Sequence, residues 1–141
     1  MIRTFQYKLY LNESQVKTLE RLLSVCCWTY NQALEHRIKA YKRRKENISY
    51  SSQSAMLTNW RKKAERIRLC PVEFERDALR RVDRGFKSFF RRVKSCKKPG
   101  FPRFKPRKRY NSLECLSARK YLLCNNRICL PNLGKVRCRG C

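Results

Sequence analysis

Charge is the feature that most constrains how this chain of 141 residues can fold. Lysine and arginine number 36 against 10 aspartates and glutamates, so the formal net charge is +26 at pH 7. Repulsion between these positive charges opposes a compact folded state unless a polyanion supplies negative charge. Because 42% of the residues are hydrophobic, the material for a core is nevertheless present. We therefore expect a folded domain whose partner is nucleic acid.

A membrane surface is the other polyanion to consider, and the sequence does not favour it. We find no uninterrupted apolar stretch of about 18 residues, and no short apolar run after a basic start that would make a signal peptide. We expect no membrane association and a cytoplasmic, nucleoid-associated location.

The nine cysteines indicate reduced thiols, because an odd count without a secretory signal argues against a closed disulfide framework. Four of them follow the spacing C-x4-C-x8-C-x2-C, namely Cys124, Cys129, Cys138 and Cys141. Two thiolate pairs at such spacing can close a tetrahedral zinc site. The alternative is packing within strands, since Cys129 falls in an alternating pattern. We expect packing, with no metal and no cofactor.

The first 45 residues predict a strand followed by a long helix. Residues 2–10 alternate apolar and polar side chains, as a strand with one buried face does. Asn12 and Gln15 have the form of a capping box, and apolar residues then recur every three or four positions. This pattern predicts a helix over about 13–45.

The remaining pattern predicts two more helices and then short strands. Ser51 or Ser52 can cap a second helix, and a third is expected over about 73–95. Residues 110–141 contain short alternating runs separated by turn residues, including a strand expected over 110–116. The fold class is therefore predicted to be α+β.

The third helix carries a row of basic residues on a face away from its apolar stripe. Like charges at i,i+4 each cost a few tenths of a kcal/mol on an isolated helix. The row is unfavourable unless phosphates lie along it, and the alternative is a solvated basic face. Its members, spaced by fours and threes, are Arg76, Arg80, Arg84, Lys87, Arg91, Lys94 and, past the helix, Lys98.

The segment 97–109, KKPGFPRFKPRKR, contains three prolines and predicts an extended, turning chain and no helix. Phe101 and Phe104 lie between basic residues, which places stacking faces beside phosphate donors. That combination suits single-stranded or irregular RNA. The alternative is that both phenylalanines anchor the segment to the core. The basic candidates here are Lys97, Lys98, Arg103, Lys105, Arg107, Lys108 and Arg109.

An enzyme is the less favoured class. Glu73, Glu75 and Asp77 alternate, so on a helix successive members point about 200° apart and do not converge on a metal. The single histidine, His36, has no nucleophile that spacing assigns to it. We expect no catalytic activity. A stand-alone helix-turn-helix DNA-binding protein or a general RNA-binding protein remains the alternative.

Five segments carry a family resemblance: IRTFQYKLYLNESQ, CCWTYNQALEHRIKAY, DALRRVDRGFKSFF, KKPGFPRFK and NRICLPNLGKVRCRG. In this order they resemble the amino-terminal half of TnpB (OrfB), the RNA-guided nucleases of insertion-sequence transposons that are related to compact type V CRISPR effectors. The resemblance covers nearly the whole chain. The Tyr30-Asn31 step and the run from Gly100 to Lys105 are among its more specific parts.

The resemblance implies a particular architecture. It implies an incomplete antiparallel β-barrel, the wedge, formed by residues 1–10 and 99–141 and including the basic loop 97–109. A helical recognition lobe, residues 11–98, is inserted after the first strand.

The resemblance also implies a function. Both parts would hold guide-like structured RNA and target DNA, with a separate nuclease half as a further partner. The RuvC catalytic domain of the family is not expected in this chain, which would then bind nucleic acid without cleaving it.

Overall fold

A computed structural model describes residues 1–114 and 123–140. The α+β class is confirmed. The elements, in chain order, are β1 (Tyr7–Tyr10), α1 (Glu13–Arg44), α2 (Tyr50–Lys63), α3 (Glu65–Arg68), α4 (Val72–Lys94), β2 (Leu123–Cys124), β3 (Arg127–Leu130) and β4 (Gly134–Gly140).

The chain divides into two compact units, one formed by Met1–Leu22 with Cys115–Cys141 and the other by Leu23–Glu114. The basic segment 97–109 lies in the second unit, together with most of the helical residues. The domain bounds implied by the resemblance stay a prediction.

The first unit contains a small antiparallel sheet with the strand order β1-β4-β3-β2. Tyr7 lies opposite Gly140 across β1 and β4, and Ile128 lies opposite Val136 across β3 and β4. Asn125 has a positive φ of 50°, a conformation that asparagine tolerates better than most residues, and this allows the tight turn between β2 and β3. Within the described residues β1 and β2 lie at the two ends of this order, and closure into a barrel stays a prediction.

The capping box at the start of α1 is confirmed. The Gln15 backbone N–H donates to Asn12 Oδ1 at 2.8 Å, and the Asn12 N–H donates to Gln15 Oε1 at 3.1 Å. Gln15 Nε2 also donates to the carbonyls of Leu133 and Lys135, at 3.2 and 3.0 Å. The same glutamine therefore caps the helix and ties it to the turn before β4 and to the start of that strand.

The second helix begins earlier than the sequence pattern predicts. Ser49, and not Ser51 or Ser52, is its N-cap, and the Ser49 hydroxyl accepts a hydrogen bond from the Ser52 N–H at 3.2 Å. Ala64 then adopts an extended conformation and ends α2. The third long helix is confirmed as α4. In the part of the chain that the structure describes, no helix is long and apolar enough to cross a membrane.

The core of the second unit lies between α1, α2 and α4. Leu34, Leu57 and Leu79 are buried contributions from these three helices. The strand expected over 110–116 is wrong for residues 110–114, and residues 115 and 116 lie outside the described part. Tyr110 is instead fully buried, with its ring 6.2 Å from that of Tyr30. Burial of this aromatic ring in the helical core takes the place of strand pairing.

Candidate nucleic-acid interface

Helix α4 separates its acidic side chains from its basic ones. Glu75 and Asp77 are only 0% and 1% exposed. Arg80 is half-buried, and the other members of the predicted row are exposed: Arg76, Arg84, Lys87, Arg91, Lys94 and, past the helix, Lys98. The helix therefore turns positive charge to solvent and keeps these two acids inside.

The buried acids are each engaged with arginine. Glu75 Oε2 lies 2.7 Å from Arg61 Nη1, and Asp77 Oδ2 lies 2.8 Å from Arg81 Nη2. The two carboxylates thus have different arginine partners. Among residues 1–114 and 123–140, no group of three or more histidine, cysteine, aspartate or glutamate side chains could hold a metal ion.

The environment of Glu75 also changes its acidity. Burial raises the pKa of Glu75 to about 7, and the hydrogen bond and charge of Arg61 oppose this rise only in part. Its second oxygen, Oε1, is buried without a hydrogen-bond partner among the described residues, which agrees with the raised pKa.

A two-way hydrogen bond fixes the basic segment on α1. Asn31 Nδ2 donates to the Lys105 carbonyl at 2.9 Å, and the Lys105 N–H donates to Asn31 Oδ1 at 3.0 Å. The neighbouring Tyr30 places its ring 5.1 Å from the Lys105 ammonium. We call this arrangement of Tyr30, Asn31 and Lys105 the asparagine clamp. It gives the Tyr30-Asn31 step a structural role.

Aromatic packing fixes the start of the same segment. Phe101 stacks on Phe89 with ring centroids 4.7 Å apart and an angle of 18° between the planes. It also lies 5.9 Å from the ring of Tyr41. Phe104, in contrast, is 54% exposed. Of the two phenylalanines predicted to stack on bases, Phe101 anchors the segment and Phe104 leaves its ring open to solvent.

The basic side chains of the segment fall into two groups. Arg107 is half-buried and donates from Nε to Ser24 Oγ at 3.2 Å and from Nη1 to the Tyr110 carbonyl at 3.1 Å. Lys105 is half-buried within the asparagine clamp. The other candidates are exposed: Lys97, Lys98, Arg103, Lys108 and Arg109. The expectation of no helix holds except for a 3₁₀ turn at Arg107–Arg109, which becomes possible after Pro106.

Two of the four cysteines of the zinc alternative, Cys129 and Cys138, have side chains that the structure describes. The register of the strands places them apart. Ile128 and Val136 lie opposite each other and share a face of the sheet. Cys129 follows Ile128 and Cys138 is two residues beyond Val136, so these two thiols lie on opposite faces. Cys129 is exposed and Cys138 is buried. Cys141 and the side chain of Cys124 lie outside the described residues.

The sequence did not predict a role for Arg37 or for its partner Asp83, which lie beside the interface. Arg37 is only 2% exposed and donates from Nε to Gln53 Oε1 at 2.7 Å. Its Nη1 donates to Asp83 Oδ1 at 3.1 Å. The position of Arg37 in the sequence could have indicated its burial, because it is three residues after Leu34 and four before Tyr41, on the apolar face of α1.

Comparison with known proteins points to one family. The model of the helix-turn-helix domain of IS605-type OrfB matches residues 1–46. In the structure these residues contain β1 and α1, and α2 begins after them at Tyr50.

Two relatives are similar over longer stretches. A protein of Streptomyces pristinaespiralis named "Putative RNA-guided DNA endonuclease" is 34% identical over 109 residues, which are 76% of this chain and 26% of the relative. "Putative RNA-guided DNA endonuclease InsQ" of Escherichia coli strain K12 is 26% identical over 141 residues, covering 99% of this chain and 34% of the relative. The chain thus spans between a quarter and about a third of the length of these curated relatives.

Proposed function

Because the chain belongs to the TnpB (OrfB) family, we propose that it is a nucleic-acid-binding part of such a transposon protein and holds guide-like structured RNA and target DNA. The observation that carries this proposal is the separation of charge on α4. A solvated helix has no need to keep Glu75 and Asp77 inside while exposing a row of like charges. Such a row is stabilised when phosphates lie beside it.

The length of the row fits several phosphates. From Arg76 to Lys94, at 1.5 Å per residue, the row extends roughly 27 Å along the helix axis. That distance equals the axial rise of about eight nucleotides of one duplex strand at 3.4 Å each, and because the strand winds around the axis the row would face only some of their phosphates. The exposed ring of Phe104 adds a surface for an unpaired base, which favours RNA with single-stranded or irregular parts.

The proposed role is binding and positioning of nucleic acid, with cleavage left to a nuclease part of such a protein that this surface would assist. The action would take place in the cytoplasm, at the nucleoid.

The test compares two triple variants with the same loss of charge. The segment variant changes Arg103, Lys108 and Arg109 to alanine, and the control variant changes Lys62, Lys63 and Arg66, which are also exposed and lie on α2 and α3. Binding of an RNA hairpin with a single-stranded tail is measured from 50 to 300 mM salt. For six or more phosphate contacts, log K of the unmodified chain should fall with log salt at a slope beyond about −4. Loss of three contacts should make the slope shallower by about 2 in the segment variant only.

Three outcomes decide between the alternatives. A slope near zero for the unmodified chain rejects nucleic-acid binding by this surface. Equal changes in both triple variants mean that total charge alone governs binding and that the segment has no special role. Tighter binding of duplex DNA of equal length than of the RNA favours the second candidate, duplex binding, which the helix-turn-helix description of the matching family model supports.

A further inference from the structure

A cavity in the helical unit, next to the basic row, is lined in part by hydrogen-bond donors. Its volume is about 320 Å³, and α1, the start of α2 and α4 all contribute to it. This volume lies at the lower end of the range of small-ligand pockets, roughly 300–1,000 Å³. The lining side chains that matter below are Arg37, Ser49, Tyr50, Ser51, Asp83 and Lys87.

Arg37 lines this cavity, and its guanidinium carries one donor without a partner within the described part of the chain. Its side chain is 2% exposed, and two of its nitrogens are engaged with Gln53 and Asp83. The third, Nη2, is buried and has no hydrogen-bond partner within residues 1–114 and 123–140. A buried guanidinium N–H without a partner is unfavourable, so an acceptor that reached this group would stabilise it.

The start of α2 supplies a second, independent set of donors. The first helical hydrogen bond runs from the Gln53 N–H to the Ser49 carbonyl, and the Ser49 hydroxyl takes the Ser52 N–H. The amides of Tyr50 and Ser51 precede both and lie at the positive end of the helix dipole. The first turn of this helix has no acidic residue. An anion is the ligand that such a helix start accepts.

Asp83 is the one acidic side chain among the lining residues, and its charge is already compensated. Its Oδ1 lies 3.1 Å from Arg37 Nη1, and its Oδ2 lies 3.1 Å from Lys87 Nζ. The three charged groups together carry a net charge of +1, to which the helix dipole adds. The cavity therefore remains attractive to an anion.

We propose that this cavity binds one phosphate group of a nucleic-acid backbone, held by Arg37, Lys87 and the first amides of α2. The backbone is the favoured source because Lys87 belongs to the basic row, and because the guanidinium of Arg80, also in the row, lies 5.5 Å from the ring of Tyr50. A phosphate in the cavity would therefore be one of the series along α4. The inference rests on the proposed function for the source of the phosphate, whereas the donor set itself would also accept free phosphate.

The test uses the full chain and two probes, inorganic phosphate and a 12-nucleotide oligouridylate, with chloride at equal ionic strength as the reference. Nitrogen-15 NMR follows the amides of Tyr50 and Ser51 and the side-chain N–H groups of Arg37. We expect saturable shifts of these signals with both probes. Lys87→Met should weaken phosphate binding at least about fivefold, since it removes one charged donor. Lys94→Met, a change on the same helix but outside the cavity lining, should have less than about a twofold effect.

A second variant keeps the fold and removes one backbone donor. Ser51→Pro deletes the N–H of the second helical residue, in a first turn where that N–H has no intrahelical partner. It should weaken phosphate binding, with helix content unchanged by circular dichroism.

The outcomes separate the two proposals. Binding of the oligonucleotide without shifts at Tyr50, Ser51 and Arg37 overturns the cavity proposal and leaves the proposed function standing. Saturable phosphate shifts without oligonucleotide binding overturn the backbone as the source and count against the proposed function. Equal effects of Lys87→Met and Lys94→Met would show general attraction to charge and also overturn the cavity proposal.

Discussion

Asn31→Ala removes both hydrogen bonds of the asparagine clamp and changes no charge. The bonds to the Lys105 carbonyl and from its N–H measure 2.9 and 3.0 Å, and Lys105 is half-buried. Each such bond contributes a net 0.5–1.5 kcal/mol, so the free energy of unfolding should fall by about 2 kcal/mol. Water can reach a half-buried backbone in part, which keeps the loss well below that of fully buried, unpaired groups.

Three measurements follow this variant. Urea unfolding monitored by circular dichroism gives the change in the free energy of unfolding. Hydrogen exchange gives the local effect, and protection of the Lys105 amide should fall about 30-fold if the segment opens more easily by about 2 kcal/mol. RNA affinity should fall because the basic segment is less ordered, while the salt slope stays unchanged because every phosphate-binding charge is retained.

The control is Asn111→Ala, which removes a single bond of 2.7 Å from Asn111 Nδ2 to the Lys108 carbonyl at an exposed position. This variant should change the free energy of unfolding by no more than about 0.5 kcal/mol. Unchanged protection of Lys105 in Asn31→Ala would refute the clamp, because the segment would then be held by its other contacts. A shallower slope of log K against log salt in Asn31→Ala would refute the assumption that Asn31 affects RNA binding only by ordering the basic segment.

Three further predictions concern packing, pH and chemistry. A Cβ at Gly85 would lie 3.0 Å from Pro102 Cγ, and this crowding should outweigh the usual gain of alanine in a helix, so Gly85→Ala should lower the free energy of unfolding by about 1 kcal/mol net. Gly100→Ala, with no atom within 4 Å of the new Cβ, should not lower it in the same urea assay. Because burial raises the pKa of Glu75 from 4.5 to about 7, its protonation favours the folded state. The free energy of unfolding of the unmodified chain should thus fall by about 3 kcal/mol, relative to that of Glu75→Gln, as pH rises from about 4.5 through 7. If the free energies of unfolding of the two proteins changed in parallel with pH, this prediction would be wrong. Homogeneous protein should not cleave RNA or DNA with magnesium or manganese, and metal-dependent cleavage that co-purifies with the chain would contradict the binding role.

Local features of the sequence were sufficient for the positions of the long helices. The first strand was predicted less well, because β1 covers only Tyr7–Tyr10 of the expected 2–10 and all four of its residues are exposed. The capping box of Asn12 and Gln15 and the three-to-four spacing behind it act between residues within one or two helical turns. The start of α1 and the extent of α4 were therefore predictable without knowledge of the rest of the fold. The same periodicity placed the basic row on a face of α4 away from its core.

Where several local signals in the sequence were equivalent, only the tertiary structure decided between them. Ser49, Ser51 and Ser52 can each cap a helix, and the structure selects Ser49. The alternation of apolar and polar residues after residue 109 predicted a strand. The structure has no strand at 110–114, and the Tyr110 ring is buried beside Tyr30. Pattern alone could not rank these choices, because the deciding contacts come from residues distant in sequence.

The assignment of individual basic and aromatic residues also depended on the tertiary structure. Composition treats Phe101 and Phe104 alike, yet Phe101 stacks on Phe89 and Phe104 is exposed. Lys105 and Asn31 are separated by 74 positions in the chain, and no local pattern links them. Total charge and periodicity follow from the order of residues, whereas the role of one side chain follows from which distant atoms satisfy its hydrogen bonds and cover its apolar surface.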